Sequence, residues 1–98
     1  MPKLSLFVRL EAKPGKENEV AKFLEKAFEL ANQESRTLLW LALRFGPTTF
    51  GVFDAFADEE GRQNHLNGPI AKALMGSDLF VAPPSIERID LLGVKLPR

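Results

Sequence analysis

The sequence predicts an α+β domain of order β-α-β-β-α-β, a four-stranded antiparallel sheet with its helices on one face. Three observations predict it. Thr37 to Phe45 (TLLWLALRF) and Thr49 to Phe56 (TFGVFDAF) each have strand length and strand composition, and a Gly-Pro turn joins them as a hairpin. An amphipathic helical pattern precedes the hairpin and a shorter one follows it. Strand-like alternation occupies the segments near both ends of the chain.

Lys3 to Ala12 (KLSLFVRLEA) places Leu4, Leu6, Val8 and Leu10 on one face and Ser5, Phe7, Arg9 and Glu11 on the other, a strand half polar on its second side. Lys13-Pro14-Gly15 breaks it. Lys16 to Gln33 is a predicted helix. Val20, Phe23, Leu24, Ala27, Leu30 and Ala31 recur on one side with Phe28 at the edge, and Lys22, Glu25, Lys26 and Glu29 face outward. Glu17 and Glu19 favour the positive end of the helix dipole.

In the hairpin, Leu39, Leu41, Leu43 and Phe45 point one way and Leu38, Trp40 and Ala42 the other. A strand apolar on both sides is covered on both sides. With a four-residue turn pairing Phe45 with Phe50, Asp54 shares a face with Phe50, Val52 and Phe56, and Arg44 points to the opposite face. A bulge at Gly51 would reverse that parity.

Asp58 is a predicted N-cap, with Glu59 and Glu60 in the first turn. That helix ends near Asn67-Gly68, and Pro69 opens a further turn or two through Met75, closed by Gly76. Ser77 to Pro84 is loop. Ser85 to Gly93 (SIERIDLLG) is the last strand, and Val94 to Arg98 forms a tail able to extend it.

Right-handed connections put both helical segments on the same face of the sheet, which makes the order a ferredoxin-like plait. The opposite face stays bare. Leaving large apolar side chains wet forfeits about 1.5–3 kcal/mol each, and a patch of this kind marks an interface. The expected partner is a second copy, a homodimer formed through the sheet face around a two-fold axis.

The chain's 98 residues suit one domain spanning residues 1–98. Thirteen acidic residues balance thirteen basic ones, against the clustered positive excess of a nucleic-acid module. The absence of cysteine removes disulfides, thiolate metal sites and a Cys nucleophile, and the single His leaves little for zinc. No segment reads as a signal peptide or is long enough to span a membrane, so the cytoplasm is the expected location. Nothing in the sequence requires a flavin, haem or nucleotide; no cofactor is expected.

Several residues are candidates for chemistry. His65 is the only side chain with an ordinary pKa near neutrality. It reads either as a general base toward a phenolic or enolic substrate or as a surface or packed helix His. Asp54 interrupts an apolar strand, so it pairs with a cation, caps a loop or serves as a tuned acid or base. Arg44 and Arg9 are the strand cations available to neutralise it, to bind an anionic ligand group or to cross the dimer interface. Trp40, the sole tryptophan, is a ligand wall or a core aromatic, and Phe53, Phe56 and Leu66 carry the same two readings. Asn64, beside the His, is a donor to a substrate oxygen or a solvated helix residue.

Val8-Arg9-Leu10-Glu11-Ala12-Lys13-Pro14-Gly15-Lys16 gives an opening strand and break. The helix and hairpin follow, then Phe53-Asp54-Ala55-Phe56, an acidic spacer and Asn64-His65-Leu66. In this combination, from about Leu6 to Leu74, the chain resembles the antibiotic biosynthesis monooxygenase family of dimeric α/β barrels. The resemblance implies a dimeric barrel and a small oxygenase that needs no metal or prosthetic group and oxidises an aromatic or quinol-like compound. In that reading His65 is the base, Asp54 or Asn64 orients it, Trp40, Phe53, Phe56 and Leu66 line an apolar pocket between sheet and helices, and Arg44 meets an anionic group. The alternatives are a homodimer that binds a small apolar metabolite without converting it, and a purely structural dimer with no cavity.

Overall fold

A computed structural model describes residues 1–97. The elements are β1 (Leu4–Glu11), α1 (Glu17–Ala31), β2 (Thr37–Arg44), β3 (Thr49–Phe56), α2 (Glu59–Leu66), α3 (Pro69–Met75) and β4 (Ser85–Asp90). The strands form one antiparallel sheet in the order β2-β3-β1-β4, the ferredoxin-like plait that the element order predicts.

Local chemistry sets the boundaries. Gly15 takes φ +83°, a left-handed turn conformation that only glycine adopts freely, and so ends the approach from β1 to α1. Helix α1 is shorter at both ends than its pattern suggests, with Lys16 as N-cap and Asn32 as C-cap. The Asp58 carboxylate accepts the Gly61 amide at 2.9 Å and starts α2 as predicted. Pro69 stands in the first turn of α3 and Gly76 closes it.

The helices cover the sheet face that carries Leu6, Val8 and Leu10 from β1 and Phe50 and Val52 from β3. With Val20 and Leu24 of α1, Leu74 of α3 and Phe80 they form the core. Leu30 does not join it. It is 39% exposed, because α1 buries only the narrower stripe of Val20, Leu24, Ala27 and Ala31. On the other face Leu41 and Phe45 are 46% and 51% exposed in the single chain. The tail after β4 runs beside one end of that face, where Leu91, Val94 and Leu96 border a depression with Leu39, Phe53 and Ala55.

The hairpin corrects one expectation. Arg44, not Phe45, pairs with Phe50, so five residues (Phe45 to Thr49) lie between the closing partners. The Arg44 guanidinium holds this longer loop by donating to the carbonyls of Gly46 at 3.2 Å and Pro47 at 2.9 Å. One extra loop residue reverses the parity of the strand. Trp40, Ala42 and Arg44 therefore share the helix-covered face with Phe50, Val52 and Asp54. The ladder irregularity falls between Thr37 and Leu39, not at Gly51, and leaves Leu38 unpaired and exposed.

Candidate functional site

Strand β3 lies between β1 and β2, so a side chain on its helix-facing side enters the middle of the core. Asp54 occupies such a position and is 1% exposed. A carboxylate there needs a charged partner. Helix α2 supplies it, held in place by its Asp58 cap and by Arg36, whose guanidinium reaches Asp58 at 2.9 Å and Glu60 at 3.1 Å.

His65 projects from α2 between two carboxylates. Its Nε2 stands 3.0 Å from Asp54 Oδ2 and its Nδ1 2.6 Å from Glu34 Oε1. The same Glu34 oxygen accepts the Thr37 hydroxyl at 2.8 Å. The Phe56 ring lies beneath the imidazole, with centroids 5.4 Å apart. Burial alone would push the His65 pKa down, but hydrogen bonds and charge from Asp54 and then Glu34 outweigh it and hold the pKa above the ordinary imidazole value. Burial pushes the Asp54 carboxyl up, against the pull of His65 and a weaker pull from the nearby Leu6 amide, which completes no hydrogen bond to Oδ1. Two carboxylates face two ring nitrogens, so the imidazolium with both N–H groups donating satisfies the arrangement.

A groove of about 560 Å³ opens between α1 and β2. It exists because β2 is an edge strand whose far end runs out from under the helix, which leaves Ala42 exposed. Phe28 and Trp40 form an aromatic wall, with rings 6.3 Å apart and tilted by 34°. Arg44 stands at the rim with its guanidinium 4.8 Å above the Phe50 ring. Beneath Trp40 lies a second, small void of about 20 Å³, lined by Asp54, His65 and Leu66 among others. Trp40 and Leu24 line both spaces. The Trp40 Nε1 and Asp54 Oδ1 atoms are buried without a hydrogen-bond partner.

The structure thus gathers Trp40 and Arg44 on the groove, and Asp54, His65 and Leu66 around the inner void. It does not bring the other candidates there. Asn64 is exposed on α2 and borders an outer depression with Glu34 and His65. Phe53 alternates to the opposite sheet face, beside the tail. Phe56, 0% exposed, supports His65 from below and walls neither the groove nor the void. Arg9 stacks on Phe45 at 4.6 Å, on the open face and away from Asp54. Sequence reading missed Glu34 and the site role of Phe28. Glu34 lies in the connection after α1, 31 residues from His65, where no periodicity marks it. Phe28 carried a weak signal, an aromatic at the edge of an otherwise charged helix face.

No group of three or more His, Cys, Asp or Glu among the described residues is arranged to hold a metal ion. No helix among them is long and apolar enough to cross a membrane.

No family model and no curated protein matches the chain. Solved structures do. The NE2512 protein of unknown function from Nitrosomonas europaea is 63% identical and superposes with a TM-score of 0.94, over 100% of this chain and 97% of that one. A "Putative antibiotic biosynthesis monooxygenase" from Nitrosomonas europaea is 15% identical with a TM-score of 0.81, over 92% of this chain and 99% of that one. Another protein so named, from Caulobacter crescentus, is 18% identical with a TM-score of 0.76, over 94% and 92%. At such identity these two show a shared fold.

Proposed function

The chain belongs to the same family as the NE2512 protein of Nitrosomonas europaea, and from that footing we propose that it takes a small planar aromatic or quinol-like compound into the groove between α1 and β2 and oxygenates it without a metal or prosthetic group. The observation that carries the reading is the groove itself: a concave apolar site walled by Phe28 and Trp40, with one cation, Arg44, at its rim. Aromatic walls favour a flat ring, and the guanidinium favours an anionic oxygen on it. The fold shared with proteins named as antibiotic biosynthesis monooxygenases supports the choice of oxygenation.

In such a reaction an anthrone-type methylene loses two hydrogens and gains one oxygen atom, and the second atom of dioxygen leaves as water. The electrons come from the substrate. The protein's part is to exclude water, orient the ring and help remove the first proton.

A second reading, a homodimeric binding protein that holds such a compound unconverted, is favoured by one observation. Both nitrogens of His65 are already engaged by carboxylates, so its imidazolium has no free lone pair with which to act as a base. In either reading the partner is a second copy docked on the open sheet face around Leu41 and Phe45.

Oxygen uptake with a panel of quinols and anthrone-type compounds, run beside quenching of Trp40 fluorescence, tests both readings. Uptake above buffer supports the oxygenase. Saturable quenching without uptake selects the binding protein. Neither signal across the panel overturns both.

A further inference from the structure

We propose that the inner void is a hydroxyl-recognition subsite at which Asp54, rather than His65, accepts a proton from the ligand, while His65 and Glu34 carry the charge to solvent. The inference rests on the groove reading above and names the chemical class of ligand, a flat ring bearing an acidic hydroxyl such as a phenol or enol.

The subsite is built from two cross-strand partners. Trp40 and Asp54 face each other in the β2–β3 ladder, on the same side of the sheet, and both line the void. One leaves a buried N–H without an acceptor and the other a buried carboxylate oxygen without a donor. An orphaned buried polar atom is costly, and two of opposite sense on facing ladder partners are complementary to a single group that donates and accepts at once. A hydroxyl is that group. The void, at about 20 Å³, holds a hydroxyl but no ring. The ring must therefore lie in the groove, with its hydroxyl directed past Trp40, which lines both spaces.

The proton path follows from the contacts. Asp54 Oδ1 has no hydrogen-bond partner and is left for the ligand, while Oδ2 is 3.0 Å from His65 Nε2. His65 Nδ1 is 2.6 Å from Glu34, and Glu34 borders the outer depression with Asn64 and Thr37. The ligand O–H bond breaks, its electron pair stays on the ligand oxygen, and the proton binds Oδ1. The imidazolium then releases its Nδ1 proton through Glu34 to water. The cluster begins as two carboxylates and one imidazolium, and ends as one carboxylic acid, one neutral imidazole and one carboxylate. Its net charge is unchanged, so an anion forms on the ligand without stranding a new charge among these groups. The indole N–H stabilises the new oxyanion.

Binding of 2-naphthol, 2-methoxynaphthalene and naphthalene, measured by calorimetry, tests the subsite. The wild-type protein is expected to prefer 2-naphthol at least about tenfold, a difference of about 1.4 kcal/mol, and the preference is expected to vanish in Asp54→Asn and Trp40→Phe. Equal binding of all three overturns the subsite and leaves the groove reading standing; binding of none overturns the groove reading itself. Proton flow is read with 4-nitrophenol below its own pKa. The wild type is expected to hold the coloured anion and release about one proton per site, counted in two buffers of different ionisation enthalpy. Asp54→Asn is expected to hold the neutral phenol, and His65→Gln to hold the anion with no proton released. A neutral probe in the wild type, or identical proton counts in wild type and His65→Gln, overturns the relay. If Asp54→Asn fails to fold, Trp40→Phe, which leaves the ion cluster intact, still decides the subsite.

Discussion

His65 Nδ1 stands 2.6 Å from Glu34 Oε1, closer than its Nε2 stands from Asp54 Oδ2 at 3.0 Å, so the ring is tethered to the connection leading into β2 as firmly as to the core strand. This clamp joins three parts of the chain that share no sequence neighbourhood, and its stability depends on the imidazole being charged. The His65 pKa is raised from 6.5, so the clamp's contribution is complete below about pH 6.5 and is lost as pH rises through the higher folded-state value. Asp54, raised from 3.8 by burial, acts in the same direction, losing stability as pH climbs from that value through its own raised one. Glu11, Asp58 and Glu59, all held low, act oppositely and lose theirs as the medium becomes acidic. Thermal melting from about pH 5 to about pH 9 should show falling stability on the alkaline side. The fall should flatten in His65→Gln; an unchanged slope in that variant contradicts the clamp.

Phe56 is fully buried beneath the His65 ring. Phe56→Ala should cost about 3–5 kcal/mol in urea denaturation, the usual loss for an emptied aromatic site. A loss under about 1 kcal/mol would mean that the core closes over the gap.

Gly51 sits at a crowded point of the open face. A Cβ there would meet Phe45 Cε2 at 2.9 Å, the Val8 carbonyl oxygen at 3.1 Å and Phe7 Cε1 at 3.3 Å. The exposed Phe45 ring can swing away, but the Val8 carbonyl belongs to the β1–β3 ladder. Gly51→Ala should destabilise by about 1–3 kcal/mol and disrupt the edge-to-face pair of Phe7 and Phe45, measurable by urea denaturation and aromatic chemical shifts. A variant as stable as wild type shows that the strand shifts freely at this point.

The proposed second copy gives a prediction in solution. Leu41, half exposed on the open face of the edge strand β2, should be buried by it. Sedimentation should show a dimer for the wild type and a folded monomer for Leu41→Glu, since a buried unpaired carboxylate is strongly unfavourable. A wild-type protein that stays monomeric at micromolar concentration rejects the face-to-face dimer.

Periodicity made the strands and helices legible, because alternation and 3.6-residue spacing are local properties of the chain. It also marked Asp54 and His65 as unusual: one is a charge in a greasy strand, the other the single imidazole. Loop length was not legible. Whether four or five residues close the hairpin depends on the Arg44 guanidinium wrapping the Gly46 and Pro47 carbonyls, and that choice moves Arg44 to the other face. The partnership of His65 with Glu34 was equally hidden, because it depends on where α2 lands after folding. Phe53 and Phe56 both read as pocket walls or core aromatics, although alternation already separates their faces; the first lies on the open face and α2 seals the second inside.

The break in the ladder at Leu38 reaches beyond local geometry. A rim strand with an unbroken row of amides invites stray chains to add themselves, the first step toward fibrils. Here one unpaired residue interrupts that row, which makes the rim a poorer template for lateral addition.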